Sequence, residues 1–331
     1  MGRTAALKLA LLGLAAALIA APAAAQQELS REGGEANIRG ARLRLHGDYQ
    51  GALQEFERVI KLDPGSHLGW YNRGMVRRDT GDCRSAVEDF SRALKINPEY
   101  FGALYHRGNC RQALGEFAGA VADYTRAVEL PGRVDGRFLA HFGRGDARRR
   151  SGDLEGALAD YSRVAETRTD TTALRSRAWV NLYLGRWQGA SEDATRFLEG
   201  GEGKEPGSAY AALVGYIALR RLGDRARADA FLAKWSKLAG GTTWPGPVFG
   251  LFEGRTGAPG LLAAAGTPAE RLEAECYVGI AHLLAGERAQ GVKALKNVLL
   301  RGDPQYWEVD LAYYELRRLG EAAEAPRRAR R

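Results

Sequence analysis

Residues 70–98 read WYNRGMVRRDTGDCRSAVEDFSRALKINP, and residues 104–132 read LYHRGNCRQALGEFAGAVADYTRAVELPG. Laid over one another, the two match column by column: Arg73 on Arg107, Gly74 on Gly108, Gly81 on Gly115, Ala86 on Ala120 and Phe90 on Tyr124. Working outward adds two more copies, because glycines recur at Gly40, Gly74, Gly108 and Gly145, at steps of 34, 34 and 37. Seven residues after each stands a second glycine, at Gly47, Gly81, Gly115 and Gly152, and an acidic residue follows it. Glycine accepts the left-handed backbone past a helix end, and aspartate caps the next helix by accepting from its free amides. Each copy is therefore a pair of helices. In the second helix a small residue precedes a large one by one turn: Ala52 and Phe56, Ala86 and Phe90, Ala120 and Tyr124, Ala157 and Tyr161. The alanine admits a neighbouring backbone and the ring fills the space beside it. Pro64, Pro98 and Pro131 stop the second helix of the first three copies.

These columns resemble the tetratricopeptide repeat, whose W-x-x-L-G-x-x-Y, A-x-x-x-F and closing proline appear as Trp70, Gly74, Ala86, Phe90 and Pro98. The pattern continues less clearly through Gly185, Ala190 and Ala194, then Gly223, Ala228 and Leu232, then Gly286, Gly291 and Leu295. The expected fold is all-α, a right-handed superhelical α-solenoid of about seven helix pairs with an irregular insert and a C-terminal capping helix. Units one to three take residues 33–134, unit four 138–171, degenerate units five and six 172–240, and unit seven with the cap 269–320. The insert, 241–268, follows from Trp244-Pro245-Gly246-Pro247, which breaks the helical pattern, with short helical turns at 248–252 and 261–265. That segment, and the ending around Tyr313-Tyr314-Glu315-Leu316, resemble bacterial periplasmic repeat proteins of the NlpI-like kind. The last helix, about 305–319, reads as a cap whose apolar face covers the open end of the stack.

The start of the chain has another character. Arg3 and Lys8 precede an unbroken apolar run at 9–20, and Ala23-Ala24-Ala25 offers small residues before Gln26. Residues 1–25 read as a cleaved secretory signal and 26–32 as a linker, since the apolar run is shorter than the roughly 20 residues that span a bilayer. There is no cysteine near the cleavage region to carry a lipid. The expected location is the periplasm, with no stable membrane insertion after cleavage. The net charge of +8 falls to +6 without Arg3 and Lys8, and Arg327, Arg328, Arg330 and Arg331 hold four of those. The folded body is then close to neutral, which sets nucleic acid aside, and residues 321–331 read as a basic, solubilising tail.

The residue before each repeat glycine is the main departure from the family pattern. A leucine is usual there, but this chain has Arg39, Arg73, Arg107 and Arg144, and sixteen residues later Glu55, Asp89, Asp123 and Asp160. A buried unpaired charge costs several kcal/mol, so these cations are expected to meet those carboxylates between helices. Cys83 opens one helix and Cys110 lies in the next, ends that stacking brings together. In an oxidising compartment they can bond, for about 3 kcal/mol, or remain small buried hydrophobes. Cys276 has no obvious mate.

Constellations for chemistry are lacking. His46, His67, His106, His141 and His282 are scattered, with no i, i+4 pair to hold a metal. Gly200-Gly201-Glu202-Gly203-Lys204 continues into Glu205, where a phosphate loop needs serine or threonine. The chain is read as a non-enzyme without cofactor. The family resemblance implies that positions five, nine and twelve of the first helices face a concave groove. Those positions are Tyr71, Tyr105 and Phe142, then Asn109, then Arg44, Arg78, Gln112 and Arg149. Aromatic rings beside arginines suit an extended acidic or aromatic segment of a partner protein. The leading function is thus a periplasmic scaffold or adaptor for cell-envelope proteins, with self-association open. The second reading is a cell-wall glycan binder using aromatic faces and the Arg327 to Arg331 tail.

Overall fold

A computed structural model describes residues 29–131, 134–167, 171–205, 207–239, 243–302 and 306–325. The leader at 1–25 and the four tail arginines lie outside them. The chain divides into two bodies, Met1–Gly136 and Arg137–Arg331. Among the described residues there are helices and no strands.

The first body holds three helix pairs: α1 (Arg31–Leu45) with α2 (Tyr49–Leu62), α3 (His67–Asp79) with α4 (Cys83–Ile96), and α5 (Phe101–Ala113) with α6 (Phe117–Glu129). The turns form as their chemistry requires. Gly47, Gly81 and Gly115 sit at φ near +80°, where a side chain would be strained. The Asp48 and Asp82 carboxylates then accept from the amides of Gly51 and Ser85, at 2.9 and 3.1 Å. Within each pair the aromatic ring lies on the glycine of its partner helix. A Cβ on Gly74 would stand 2.8 Å from the Phe90 ring, and one on Gly108 2.8 Å from Tyr124. The two sequence columns are the two sides of one contact.

The second body continues with α7 (Val134–Ser151) and α8 (Leu154–Thr167), α9 (Thr172–Tyr183) and α10 (Trp187–Gly200), and α11 (Ser208–Arg221) and α12 (Arg225–Trp235). A 3-10 turn at Ser236–Ala239 and two short helices, α13 (Gly246–Phe252) and α14 (Ala258–Ala264), make the irregular insert. The seventh pair is α15 (Pro268–Leu284) with α16 (Arg288–Arg301), and α17 (Trp307–Arg318) ends the described fold. Pro247 and Pro259 each stand in the first turn of one of these short helices, where the missing amide costs no helical hydrogen bond. No described helix is long and apolar enough to cross a membrane.

Each pair from the second to the fifth is tied by a buried aspartate. Arg73 grips Asp89 at two points, 3.0 and 2.8 Å, and Arg107 grips Asp123 at 2.9 and 2.6 Å. Arg144 meets Asp160 at 2.6 Å. A second arginine one turn on completes each site: Arg77 at 2.9 Å from Asp89, Arg111 at 2.7 Å from Asp123, Arg148 at 2.7 Å from Asp160. These second cations carry no mark in the repeat alignment of single columns, yet Arg77, Arg111 and Arg148 stand at steps of 34 and 37 and could have been found. Arg177 and Asp193 repeat the arrangement in the fifth pair, at 2.6 Å, with the Asn181 amide in place of the second cation. The first pair is looser. Arg39 meets Glu55 at 3.0 Å on a largely exposed surface, and Leu43 stands where the others have the second arginine. Burial alone would push the Asp160 carboxyl up, but hydrogen bonds from His141 and Arg144 and the charge of Arg148 outweigh it and hold the carboxyl below its ordinary range.

Cys83 and Cys110 are free thiols. They lie within hydrogen-bonding reach, and burial, reinforced by that contact, pushes the Cys110 thiol up. Cys276 is fully buried and donates to the Glu308 carbonyl oxygen.

Candidate functional site

In the first body the first helices of the pairs, α1, α3 and α5, stand side by side. The Asn72 amide donates to Asn37 across α3 and α1 at 2.7 Å, and Arg78 reaches from α3 to His106 on α5 at 2.6 Å. This row brings together Arg44, Tyr71, Arg78, Tyr105 and Asn109, each half-buried. Tyr71 packs edge-on to Tyr100 at 4.8 Å between ring centres, and Tyr105 packs on Phe101 at 5.9 Å and on His106 at 5.2 Å. Asn109 accepts from the Tyr124 hydroxyl at 2.6 Å, so its carbonyl side serves the core.

The arginines are already engaged. Arg44 bonds Asp79 at 2.8 Å and Arg78 bonds the same carboxylate at 2.6 Å. Asp79 therefore sits between two guanidinium groups, and the sequence reading, which followed positions five, nine and twelve, passed over it. A guanidinium can only donate, so the His106 Nδ1 that meets Arg78 must be the accepting nitrogen and the ring carries its hydrogen on Nε2. Burial, with the Arg78 charge second, lowers His106 to about 4, which keeps that ring neutral at physiological pH.

The corresponding row in the second body, α7, α9, α11 and α15, is occupied by α17. Trp307 packs against Trp179 at 5.7 Å, and its carbonyl accepts from the Tyr183 hydroxyl at 2.8 Å. Tyr314 stacks on Tyr183 at 5.4 Å, Glu315 takes Arg221 at 2.7 Å, and Glu308 accepts from the Tyr277 hydroxyl at 3.0 Å. The expectation that Arg149 faces a partner is corrected here. Arg149 is only 5% exposed, bonds Asp310 at 2.5 Å and lies 3.7 Å over the Trp307 ring. Phe142 packs on Tyr161 at 5.5 Å. Helix α17 caps the repeats, but from the face of the first helices and not only from the end. A signal for this was present: WEVDLAYYELRR has no wholly polar side, and Glu308, Asp310 and Glu315 alternate with residues that must be buried.

Glu308 has a consequence for stability. Burial, with the nearby carboxylate of Glu273 second, pushes its carboxyl from 4.5 up to about 8, against the opposing pull of the hydrogen bond from Tyr277. The folded protein then keeps a proton that the unfolded chain has released between these values, so stability must fall as pH rises through that window. Urea midpoints measured from pH 5 to 9 are expected to decline, and Glu308→Gln is expected to flatten the decline. An equally steep decline in Glu308→Gln would assign the effect elsewhere.

Among the described residues no group of three or more metal-ligating side chains converges. Residues 71–133 and 111–171 match the tetratricopeptide repeat family model. Among solved structures, a tetratricopeptide repeat protein from Parabacteroides merdae is 15% identical over 87% of this chain and 100% of its own, with a TM-score of 0.52. PilW, described as a widely conserved type IV pilus biogenesis factor, is 20% identical over 63% of this chain and 94% of its own, with a TM-score of 0.51. YrrB, described as a repeat protein of this type with an unusual peptide-binding site, is 16% identical over 61% and 98%, with a TM-score of 0.51. At these identities the likeness is one of fold. No curated protein matches the chain in sequence. Residues 71–171 thus match tetratricopeptide repeats, and the helix pairs on either side share the fold of such proteins.

Proposed function

We propose that this protein is an exported, non-enzymatic adaptor of the bacterial envelope that holds an extended segment of a partner protein along the α1, α3 and α5 row of its first body. One observation carries the reading: that row keeps Arg44, Tyr71, Arg78 and Tyr105 partly exposed, whereas the matching row of the second body is filled by α17. Rings give contact area at low entropic cost, and a carboxylate on the partner competes with Asp79 for Arg44 and Arg78. The partner is thus an acidic or aromatic-rich segment. Export to the periplasm rests on the leader at 1–25, and service to envelope proteins rests on the NlpI-like resemblance of the insert and ending.

The test is crosslinking in the native envelope, comparing wild type with Tyr71→Ala combined with Tyr105→Ala. The double variant, with its helical circular dichroism unchanged, is expected to lose most crosslinked partner. Crosslinks of undiminished intensity would reject the assignment of this row.

A further inference from the structure

The outer edge of α1 carries the clearest unexplained feature of the fold. Ile38 is 61% exposed and Leu45 79%. Seven residues apart, they share one side of the helix, together with Arg31, Gly34, Glu35 and Arg42. The same register positions in α3 are Gly69, Asn72, Val76 and Asp79, and there each meets the preceding repeat or is buried. A Cβ on Gly69 would stand 2.9 Å from Ile60, Asn72 bonds Asn37, Val76 is fully buried, and Asp79 bonds Arg44. In α1 these positions hold Glu35, Ile38, Arg42 and Leu45. They are the docking positions of a repeat, filled with apolar and charged residues, and among the described residues no helix precedes them.

We infer that this edge pairs with the same edge of a second copy of the chain, with the two α1 helices antiparallel about a point between Ile38 and Ala41. The edge is complementary to itself in that arrangement. Leu45 of one copy comes over Gly34 of the other, where a Cβ would meet nothing within 4 Å and the surface is open. Ile38 comes beside Ala41 of the other copy, and Glu35 comes within reach of its Arg42. A two-fold axis uses each contact twice, so these six residues supply a closed interface and this edge is not left to extend it. Burying Ile38 and Leu45 removes apolar surface from water, and the Glu35–Arg42 couples fix the direction of pairing.

Sedimentation equilibrium on the purified protein at micromolar concentration is expected to give a dimer. Glu35→Arg and Arg42→Glu, each alone, place like charges together and are expected to weaken the dimer by about tenfold or more. Combining the two reversals restores opposite charges and with them the dimer. Gly34→Arg adds bulk on open surface, so the monomer folds unchanged by circular dichroism while association is lost. A monomeric wild type, which would mean that another segment or another protein covers the edge, overturns the proposal. So do open-ended polymers, which a head-to-tail contact would produce, and so does a double reversal that stays as weak as the singles.

Discussion

Replacing Asp123 by alanine is expected to destabilise the first body by about 3 kcal/mol or more, because it strands two guanidinium groups at once. Asp123 is 2% exposed and accepts from Arg107 at 2.9 and 2.6 Å and from Arg111 at 2.7 Å. Neither arginine can lose its proton at any accessible pH, so the charges remain when the carboxylate goes. Arg107 also donates to Ser91 at 2.9 Å, a bond to the preceding pair, so the loss spreads across a repeat boundary. The counterpart in the first pair is a control. Glu55 meets only Arg39, on exposed surface, and Glu55→Ala is expected to change little. Urea denaturation of the two variants checks the contrast, and a loss for Asp123→Ala no larger than for Glu55→Ala would mean that the buried aspartates are spectators.

Asp310→Ala should be at least as damaging in the second body, and its failure should begin at α17. Asp310 is 1% exposed, and the Arg149 it meets at 2.5 Å lies under the Trp307 ring. Removing the carboxylate leaves a buried guanidinium facing the helix that should cover it, at a cost of about 3 kcal/mol or more. Limited proteolysis is expected to cut within α17 faster than in wild type before the rest of the body is attacked. Arg149→Met combined with Asp310→Leu removes both charges and keeps the volume. The pair should lose less stability than the sum of the single changes, as coupled buried charges require. Simple additivity would show that the two residues do not act on one another.

The repeat made the helix pairs legible without any structure, because its rules are local. A glycine that must turn left-handed, an aspartate that must cap, and a ring one turn after an alanine each act within a few residues, and 34-residue spacing multiplies the signal. Even the arginine at Arg73, Arg107 and Arg144 could be matched to an acid by spacing alone, since both partners belong to one helix pair. The fate of the outward-facing residues was not legible in this way. Positions five, nine and twelve look alike in every repeat, yet Arg78 lies on a partly exposed row and Arg149 lies buried. What separates them is α17, which returns to α7 from 161 residues further along the chain.

The helical element type, the pairing of helices and the match of Arg73, Arg107 and Arg144 to their acids follow from the chain's own order, because short-range sterics and the cost of burying charge act within one repeat. Tertiary structure alone decided which face stays open, since that depends on which distant segment comes to cover it. A row of arginines and aromatics states only what a surface can bind. In the second body α17 of the same chain took that place, and in the first body Asp79 took the space between two of the arginines.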